Sequence, residues 1–342
     1  MISIHAARGG PKSGPRPLDF RRDLKSIVNI IGEAFGPEMD DAGRAALREL
    51  RLTAQFGPLL NFFLPAGSRP QDIMDGFVWE ETGTVVANVT TQPVPRFPGR
   101  YLIANVAVDE AWRGRGIASQ LMKMVLDYIA EQGGQWAVLQ VRASNAIALG
   151  MYQRLSFEPL VVEHRLRVER VPELPAFSLP TGYELRMLCD DDWHAVRYLI
   201  NRVVPAEARW WAPHRSRYFH EGSSPGWQRA LSRWLSLRHK VRWGVFAGEE
   251  IMGVLDVDVM QNNGHRIDLL LHPALRQAWS APLLMHALHY LQMQPARPIH
   301  VTLHDYQQAA IDALLALGFE SVLVMVNMRK RIRTSNKKRP SL

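Results

Sequence analysis

The residues Arg113-Gly114-Arg115-Gly116-Ile117-Ala118 stand where the period of the sequence changes from strand to helix. Before them, Tyr101 to Val108 is apolar and β-branched enough for a buried strand; after them, Ile117, Leu121, Met122, Val125 and Ile129 recur on one helical face. The first turn of a helix has backbone N–H groups without intrahelical partners and a partial positive charge. A glycine-bearing entry lets a phosphate approach those donors, and Arg113 and Arg115 add charge beside it. Taken alone, such a turn reads equally well as an ordinary strand-to-helix connection.

The residues that follow separate the two readings. Arg113-x-x-Gly116-x-Ala118 is succeeded by a second strand, by Asn145-x-x-Ala148-x-x-x-Tyr152, and by Leu155-Ser156-Phe157. Over residues 101–157 the chain thereby resembles the GNAT superfamily of N-acetyltransferases, whose members bind the acetyl-CoA pyrophosphate on an [RQ]-x-x-G-x-[GA] turn. The resemblance implies that acetyl-CoA lies against the strand end Val106, Ala107 and Val108 and on the turn formed by Arg113, Gly114, Arg115, Gly116, Ile117 and Ala118. It implies that Asn145, with Ala148, holds the pantetheine or the local backbone, and that Tyr152 is the acid for the departing thiolate. A phenol near pKa ~10 is protonated at neutral pH, as that role requires. An amphipathic tyrosine packing one helix face is the alternative for Tyr152.

Attack on a thioester needs a neutral amine and a group to take its proton. Glu80, Glu81 and, less well placed, Asp109 are the candidates, although an exposed turn carboxylate is the plainer reading of each. No metal site is expected, since His286, His289, His300 and His304 lack the cysteines or the HExxH spacing that would gather ligands.

The elements that must position these groups can be followed along the chain. Residues 1–15 are Gly, Pro, Arg and Ser rich and read as a flexible lead-in. A helix is expected from Asp19, with Leu24, Ile27, Val28, Ile31 and Phe35 as its stripe, and a second from Asp41 to Phe56. Phe77 to Val89 reads as a hairpin turning at Thr82-Gly83, and Leu160 to Val168 as a last strand. The proline-bearing stretch 171–182 then reads as a linker.

Beyond it the pattern returns. Leu269 to Met285 aligns without gaps to Val106 to Met122 at an offset of 163 residues, and Ile299 to Phe319 repeats the later strand, helix and Leu-x-Phe ending at an offset of 162. The repeat changes where the chemistry lies: Gly114 becomes Gln277, Gly116 becomes Trp279 and Tyr152 becomes Leu314. Tryptophan leaves no room for a pyrophosphate at the backbone, and leucine has no proton to give. The expected architecture is thus α/β, two tandem GNAT-like domains, each a mixed, mostly antiparallel sheet flanked by helices. A competent domain spans 16–170, a degenerate one 183–328, and a basic tail 329–342. Tandem arrangements with one competent half are known in the resembled family.

Composition agrees with a folded chain of this size. Of 342 residues 47% are hydrophobic and 22% charged, and the longest apolar runs are too short and too interrupted to span a bilayer. With no signal-peptide core visible, the cytoplasm, where acetyl-CoA is present, is the expected compartment. The single cysteine, Cys189, excludes an internal disulfide and reads as a packed thiol. The net charge of +8 is local: seven basic residues from Arg329 to Arg339 supply all but one of it. A solvated tail is favoured over nucleic-acid contact, because no aromatic residue is interleaved for stacking. Trp210, Trp211, Tyr218, Phe219, Trp227, Trp234 and Trp243 are read as second-domain core or interdomain contact rather than as an acceptor pocket or a stacking surface.

The activity this implies is acetyl transfer from acetyl-CoA to a primary amine, on a small molecule or on a protein. A CoA-responsive binding protein without turnover is the reading from another class.

Overall fold

The structure is a computed structural model of the chain, and it describes residues 13–35, 48, 75–95, 97–211, 238–260 and 264–333. The helix expected at 41–56 lies outside the described residues apart from residue 48, as do Tyr218, Phe219, Trp227, Trp234 and the tail from 334. The chain divides into two compact units. One comprises residues 1–140, 150–158 and 329–342, and the other 141–149 and 159–328. The units are therefore not consecutive in sequence: the strand that ends the first half groups with the second unit, and the end of the last strand groups with the first.

The first unit contains β1 (Gly14–Pro17), α1 (Phe20–Phe35), β2 (Asp75–Glu81), β3 (Thr84–Pro93), β4 (Arg100–Val108) and α2 (Ile117–Glu131). To these it adds most of β5 (Trp136–Arg142) and the end of α3 (Ala146–Arg154). Strands follow the order β1-β2-β3-β4-β5, antiparallel up to β4 and parallel between β4 and β5. The β2–β3 hairpin turns at Thr82 (φ 49°) and Gly83 (φ 89°), two successive left-handed residues whose twist matches that of the flanking strands. Leu24, Ile27, Val28 and Ile31 of α1 are buried on Val78, Val85 and Ala107, as the helical spacing predicts. The side chains Ile117, Leu121, Met122, Val125, Leu126 and Ile129 bury the other helix, α2, which packs on β2, β3 and β4. Two expectations change here. Gly14 and Pro15, expected within the flexible lead-in, belong to β1 and pair with Glu80 and Trp79 of β2. Arg329, Lys330 and Arg331, expected in the tail, are strand residues of β12.

The second unit contains β6 (Glu158–Val168), β7 (Glu184–Met187), α4 (Trp193–Val203), α5 (Ala206–Trp211), β8 (Arg238–Ala247), β9 (Glu250–Met260) and β10 (His265–Leu271). It continues with α6 (Arg276–Gln292), β11 (Ile299–His304), α7 (Gln308–Ala316) and β12 (Glu320–Arg331). Its strand order is β12-β6-β11-β10-β9-β8-β7, with β10 and β11 parallel. Strand alternation sends Leu269 and Leu271 to a core shared with α6 and α7, and Leu270 to a separate core under α4 and α5. Each unit is accordingly a mixed sheet flanked by helices.

Candidate active site

Strands β4 and β5 pair in parallel at Arg100↔Trp136, Tyr101↔Ala137 and Leu102↔Val138, and the pairing then stops although both strands continue. Past Leu102 the strands splay into a wedge, and the β4 backbone on that side has no ladder partner on β5. The helix α2 begins just after the end of β4. Its N-cap is Gly116, held at φ 76° with no side-chain cap, and its first internal bond runs from Gln120 N–H to the Gly116 carbonyl. Gly114 is also left-handed, at φ 77°. A Cβ built on either glycine meets nothing within 4 Å. The turn thus presents uncapped helix N–H groups with open space in front of them, which suits a phosphate group. The conformation, not crowding, is what calls for glycine.

The arginines of the turn serve it more than they face out of it. Arg113 Nε donates to the Val108 carbonyl at 3.1 Å and so ties the turn to the strand end. Arg115 stacks 4.4 Å over Trp112 and donates to the Ala111 carbonyl. Asp109 accepts from Ala111 N–H at 2.9 Å and caps the short helical turn Glu110–Trp112. That cap occupies one of the three carboxylates considered as a base.

Tyr152 lies on α3 with 5% of its surface exposed, edge-on to Phe157 at 5.9 Å. Burial pushes its phenol up to about 12. Asn145 and Ala148 fall in the segment 141–149 that groups with the second unit. Asn145 Oδ1 accepts from Ala148 N–H at 3.0 Å, so its side chain caps the start of α3.

Glu80 departs from the exposed turn carboxylate expected. It is 5% exposed, accepts from Arg16 Nε at 2.5 Å and from Arg22 at 2.8 Å, and Arg16 also holds buried Asp23. The hydrogen bond from Arg16 chiefly holds its carboxyl below the ordinary range. Clamped between two guanidinium groups, Glu80 fastens β1 and α1 to the sheet and is no free base. The hydrogen bonds of Glu81 come from Ser13 and Trp79, and they lower its carboxyl as well. Cys189, read as a packed thiol, is exposed and donates to Asp192 Oδ2.

The second unit repeats the wedge and fills it. β10 and β11 pair at His265↔Ile299, Arg266↔His300 and Ile267↔Val301 and then part. At the position of Asn145 stands Gln307, whose side chain bridges the parted strands: Nε2 donates to the Leu269 carbonyl at 2.7 Å, and Oε1 accepts from His304 N–H at 3.2 Å. Arg276, at the position of Arg113, donates to the Leu271, Tyr306 and Val203 carbonyls. Only about 10 Å³ remains among Leu269, Arg276, Ser280, Gln307 and Ala310, room for one water. Trp279 is 1% exposed, edge-on to Tyr183 at 5.6 Å, and Leu314 is fully buried. Trp279 is therefore a core residue of α6 rather than an obstruction lying in the turn. Trp243, buried against His286 and Tyr290, is core as expected.

Among the described residues no group of three or more His, Cys, Asp or Glu side chains could hold a metal ion. No described helix is long and apolar enough to cross a membrane.

A mixed sheet with a splayed parallel pair and a glycine-capped helix at its mouth defines the acetyltransferase fold expected from the sequence. Residues 44–157 match the family described as Acetyltransferase (GNAT) family. The chain is similar to N-alpha-acetyltransferase RimI of Mycobacterium tuberculosis, 32% identical over 98 residues, 28% of this chain and 59% of that protein. It is also similar to mycothiol acetyltransferase of Kocuria rhizophila, 25% identical over 145 residues, 42% of this chain and 45% of that one. The matched stretch thus spans less than two thirds of either relative. Among solved structures, a tandem GNAT protein from the clavulanic acid biosynthesis pathway shares the fold with a TM-score of 0.53 at 15% identity, covering 95% of this chain and 100% of that one.

Sequence reasoning missed two features: the Gln307 bridge, and a β-bulge in β4 at left-handed Asn105 (φ 53°), where the register with β3 shifts. Both are visible in retrospect as polar residues where the first-half or strand pattern gives another type.

Proposed function

We propose that the chain is an N-acetyltransferase whose first half, residues 16–170, uses acetyl-CoA and whose second half, 183–328, is a degenerate copy without a cofactor site. The observation that carries this reading is the contrast between two wedges of common origin. One stands at an uncapped glycine turn, and the other is bridged by Gln307 and nearly filled.

In this reading the first-turn N–H groups of Ile117 and Ala118, with Gly114 and Gly116 and the charge of Arg113 and Arg115, hold the pyrophosphate. The unpaired edge Val106, Ala107 and Val108 receives the pantetheine arm, and Asn145 with Ala148 fixes the start of α3. The amine nitrogen attacks the thioester carbonyl, a C–N bond forms, and the C–S bond breaks with its electron pair leaving on sulfur. Tyr152 acts on that sulfur. With its phenol near 12, complete proton transfer to an ordinary thiolate is uphill by roughly 3–4 pKa units, about 4–5 kcal/mol. Tyr152 therefore donates a hydrogen bond to the departing sulfur, which then takes a proton from water, while the amine's surplus proton goes to solvent. Holding amine and thioester together supplies the larger part of the rate, up to about 7–11 kcal/mol in well-oriented systems.

The acceptor is a primary amine on a small molecule or on a protein; relatives named for protein N-terminal and for mycothiol acetylation support both classes. The cytoplasm supplies the acetyl-CoA this reaction needs.

Calorimetric titration of acetyl-CoA into the full chain and into Gly116→Trp tests the reading. One site in the wild type, weakened at least about 100-fold by a side chain where the pyrophosphate must approach, is the expected result. Two sites would mean that the second half is competent. No binding would sink the acetyltransferase assignment.

A further inference from the structure

The basic residues late in the sequence meet aromatic rings once the chain is folded. Arg100, the first residue of β4, pairs in parallel register with Trp136, the first residue of β5, so their side chains are neighbours on one face. The end of β12 reaches the same place. Ile332 N–H donates to the Gln135 carbonyl at 2.8 Å, and the guanidinium groups of Arg329 and Arg331 lie 5.1 Å and 5.9 Å from the centre of the Trp136 ring. The turn before β4 supplies a second ring, with Arg100 stacked 4.6 Å over Phe97. That turn is held by its backbone, since the Gly99 carbonyl accepts from the N–H groups of Gln135 and Trp136 at 2.7 Å and 2.9 Å. Three arginines and two rings are thus interleaved, all within the first unit.

Like charges are gathered here against their repulsion. Burial first, and then the charge of Arg329, hold the Arg100 guanidinium below its ordinary pKa. Arg329 meets the carboxylate of Glu158 at 3.9 Å, a long pair whose acid is 73% exposed, and surface pairs of that kind hold an arginine weakly. Lys330 turns to the other side of the strand, where Nζ donates to the Leu155 carbonyl at 2.6 Å. Arg329 and Arg331 accordingly share a face at a spacing of about 7 Å, the rise of two strand residues. Arg331 and Arg333 are exposed, and the residues after Glu320 include no acid but also Lys337, Lys338 and Arg339. The cluster stands at the opposite end of β4 from the Gly114 to Ala118 turn, about 25 Å away along nine strand residues, so it is no part of the turn suited to the acetyl-CoA phosphates.

We propose that this cluster is a binding surface for single-stranded nucleic acid: Arg100, Arg329 and Arg331 pair with backbone phosphates, and bases stack on Trp136, on Phe97 and on the guanidinium planes packed over them. The sequence speaks against such contact because its basic tail has no aromatic residue interleaved; the fold supplies the missing rings from β5 and from the turn before β4. A guanidinium keeps one face on a ring while its edge N–H groups bind phosphate, which an ammonium cannot do. An anionic membrane calls for the charge without the rings, and a duplex hides the faces of its bases, so the rings favour an unpaired strand. The proposal is independent of the acetyltransferase reading.

Fluorescence anisotropy of labelled oligouridylate and oligothymidylate, titrated with the full chain between about 50 and 200 mM salt, tests it, with inorganic polyphosphate and phosphatidylserine vesicles as competitors. The wild type should bind at least one oligonucleotide, and unlabelled oligonucleotide should displace it at least about tenfold better, per phosphate, than either competitor. Arg331→Gln changes an exposed side chain and should lower the slope of log K against log salt by about 0.7, and Arg329→Gln with Arg331→Gln by about 1.4, one single-strand phosphate contact for each. Arg331→Lys should keep the slope and lose about threefold in affinity, because it keeps the charge without the plane. Unchanged slopes in the Gln variants, with binding lost instead on changing Lys337, Lys338 and Arg339 to Gln, would overturn the proposal in favour of the tail alone. Polyphosphate or vesicles competing as well as the oligonucleotide would overturn it in favour of charge alone, and no binding of either oligonucleotide would overturn it outright.

Discussion

In both halves of the chain an arginine five residues past the end of a strand reaches back to that strand's last carbonyl: Arg113 to Val108 at 3.1 Å, Arg276 to Leu271 at 3.4 Å. In both, the residue after the strand caps the following turn, Asp109 onto Ala111 and His272 onto Ala274. These shared bonds build the strand-to-helix junction in both halves, although the two glycines of the first junction have no counterpart in the second. The arginine that opens the Arg113 to Ala118 pattern thus serves the backbone of the junction in each half. What separates the halves is what fills the junction: a glycine N-cap against buried Trp279, a buried phenol against Leu314, and a local cap from Asn145 against the Gln307 bridge.

Trp279→Gly is the strongest way to try to break that comparison. If the second half were blocked only by its tryptophan, the substitution would open a second acetyl-CoA site. Trp279 is instead packed on Tyr183 in the core of α6, so the expected outcome is loss of about 3–5 kcal/mol of stability in urea unfolding and no second site in calorimetry.

Next in size is Tyr152→Phe. Removing one donor from the developing thiolate should lower kcat about 100-fold with acetyl-CoA affinity unchanged, measured by thiol release once an acceptor is found. The buried phenol adds a pH signature. Its folded pKa of about 12 lies above the unfolded value near 10, so the stability of the wild type is unaffected by this group below pH ~10 and falls by about 2–3 kcal/mol as the pH climbs toward ~12. Alkaline unfolding of the wild type should therefore lose that much relative to Tyr152→Phe above pH ~10. A tyrosine whose hydroxyl is solvated would show no such relative loss.

Much of this contrast was legible in the sequence because it is local. The period change at Arg113 to Ala118 and the hairpin at Thr82-Gly83 each lie within a window in which side-chain spacing dictates the backbone, and the repeat shows as the same local pattern met twice. What escaped depends on partners far along the chain. Glu80 reads as a turn carboxylate until Arg16, 64 residues away, is brought against it. Asn105 reads as a polar interruption in an apolar strand until Asn88 and Thr90 are seen to hold its bulge. The grouping of β6 with the second unit is equally invisible, since its register with β11 joins residues more than 130 apart.

The finest test separates two residues at equivalent places in the repeat. Gln307→Ala leaves the Leu269 carbonyl and the His304 N–H without their partner inside a buried wedge, where each orphaned group carries a desolvation cost. The expected loss is about 1–3 kcal/mol. Asn145→Ala removes a single cap from Ala148 N–H at an exposed helix start, which water can replace, and should cost about 1 kcal/mol or less. Urea unfolding followed by tryptophan fluorescence measures both. Calorimetry adds the discriminating half, because opening the second wedge by Gln307→Ala should leave it unable to bind acetyl-CoA: no glycine N-cap stands at the start of α6. Should Gln307→Ala gain a second site, the side-chain bridge alone would account for the silence of the second half, and the turn would lose its claim to distinguish the two copies.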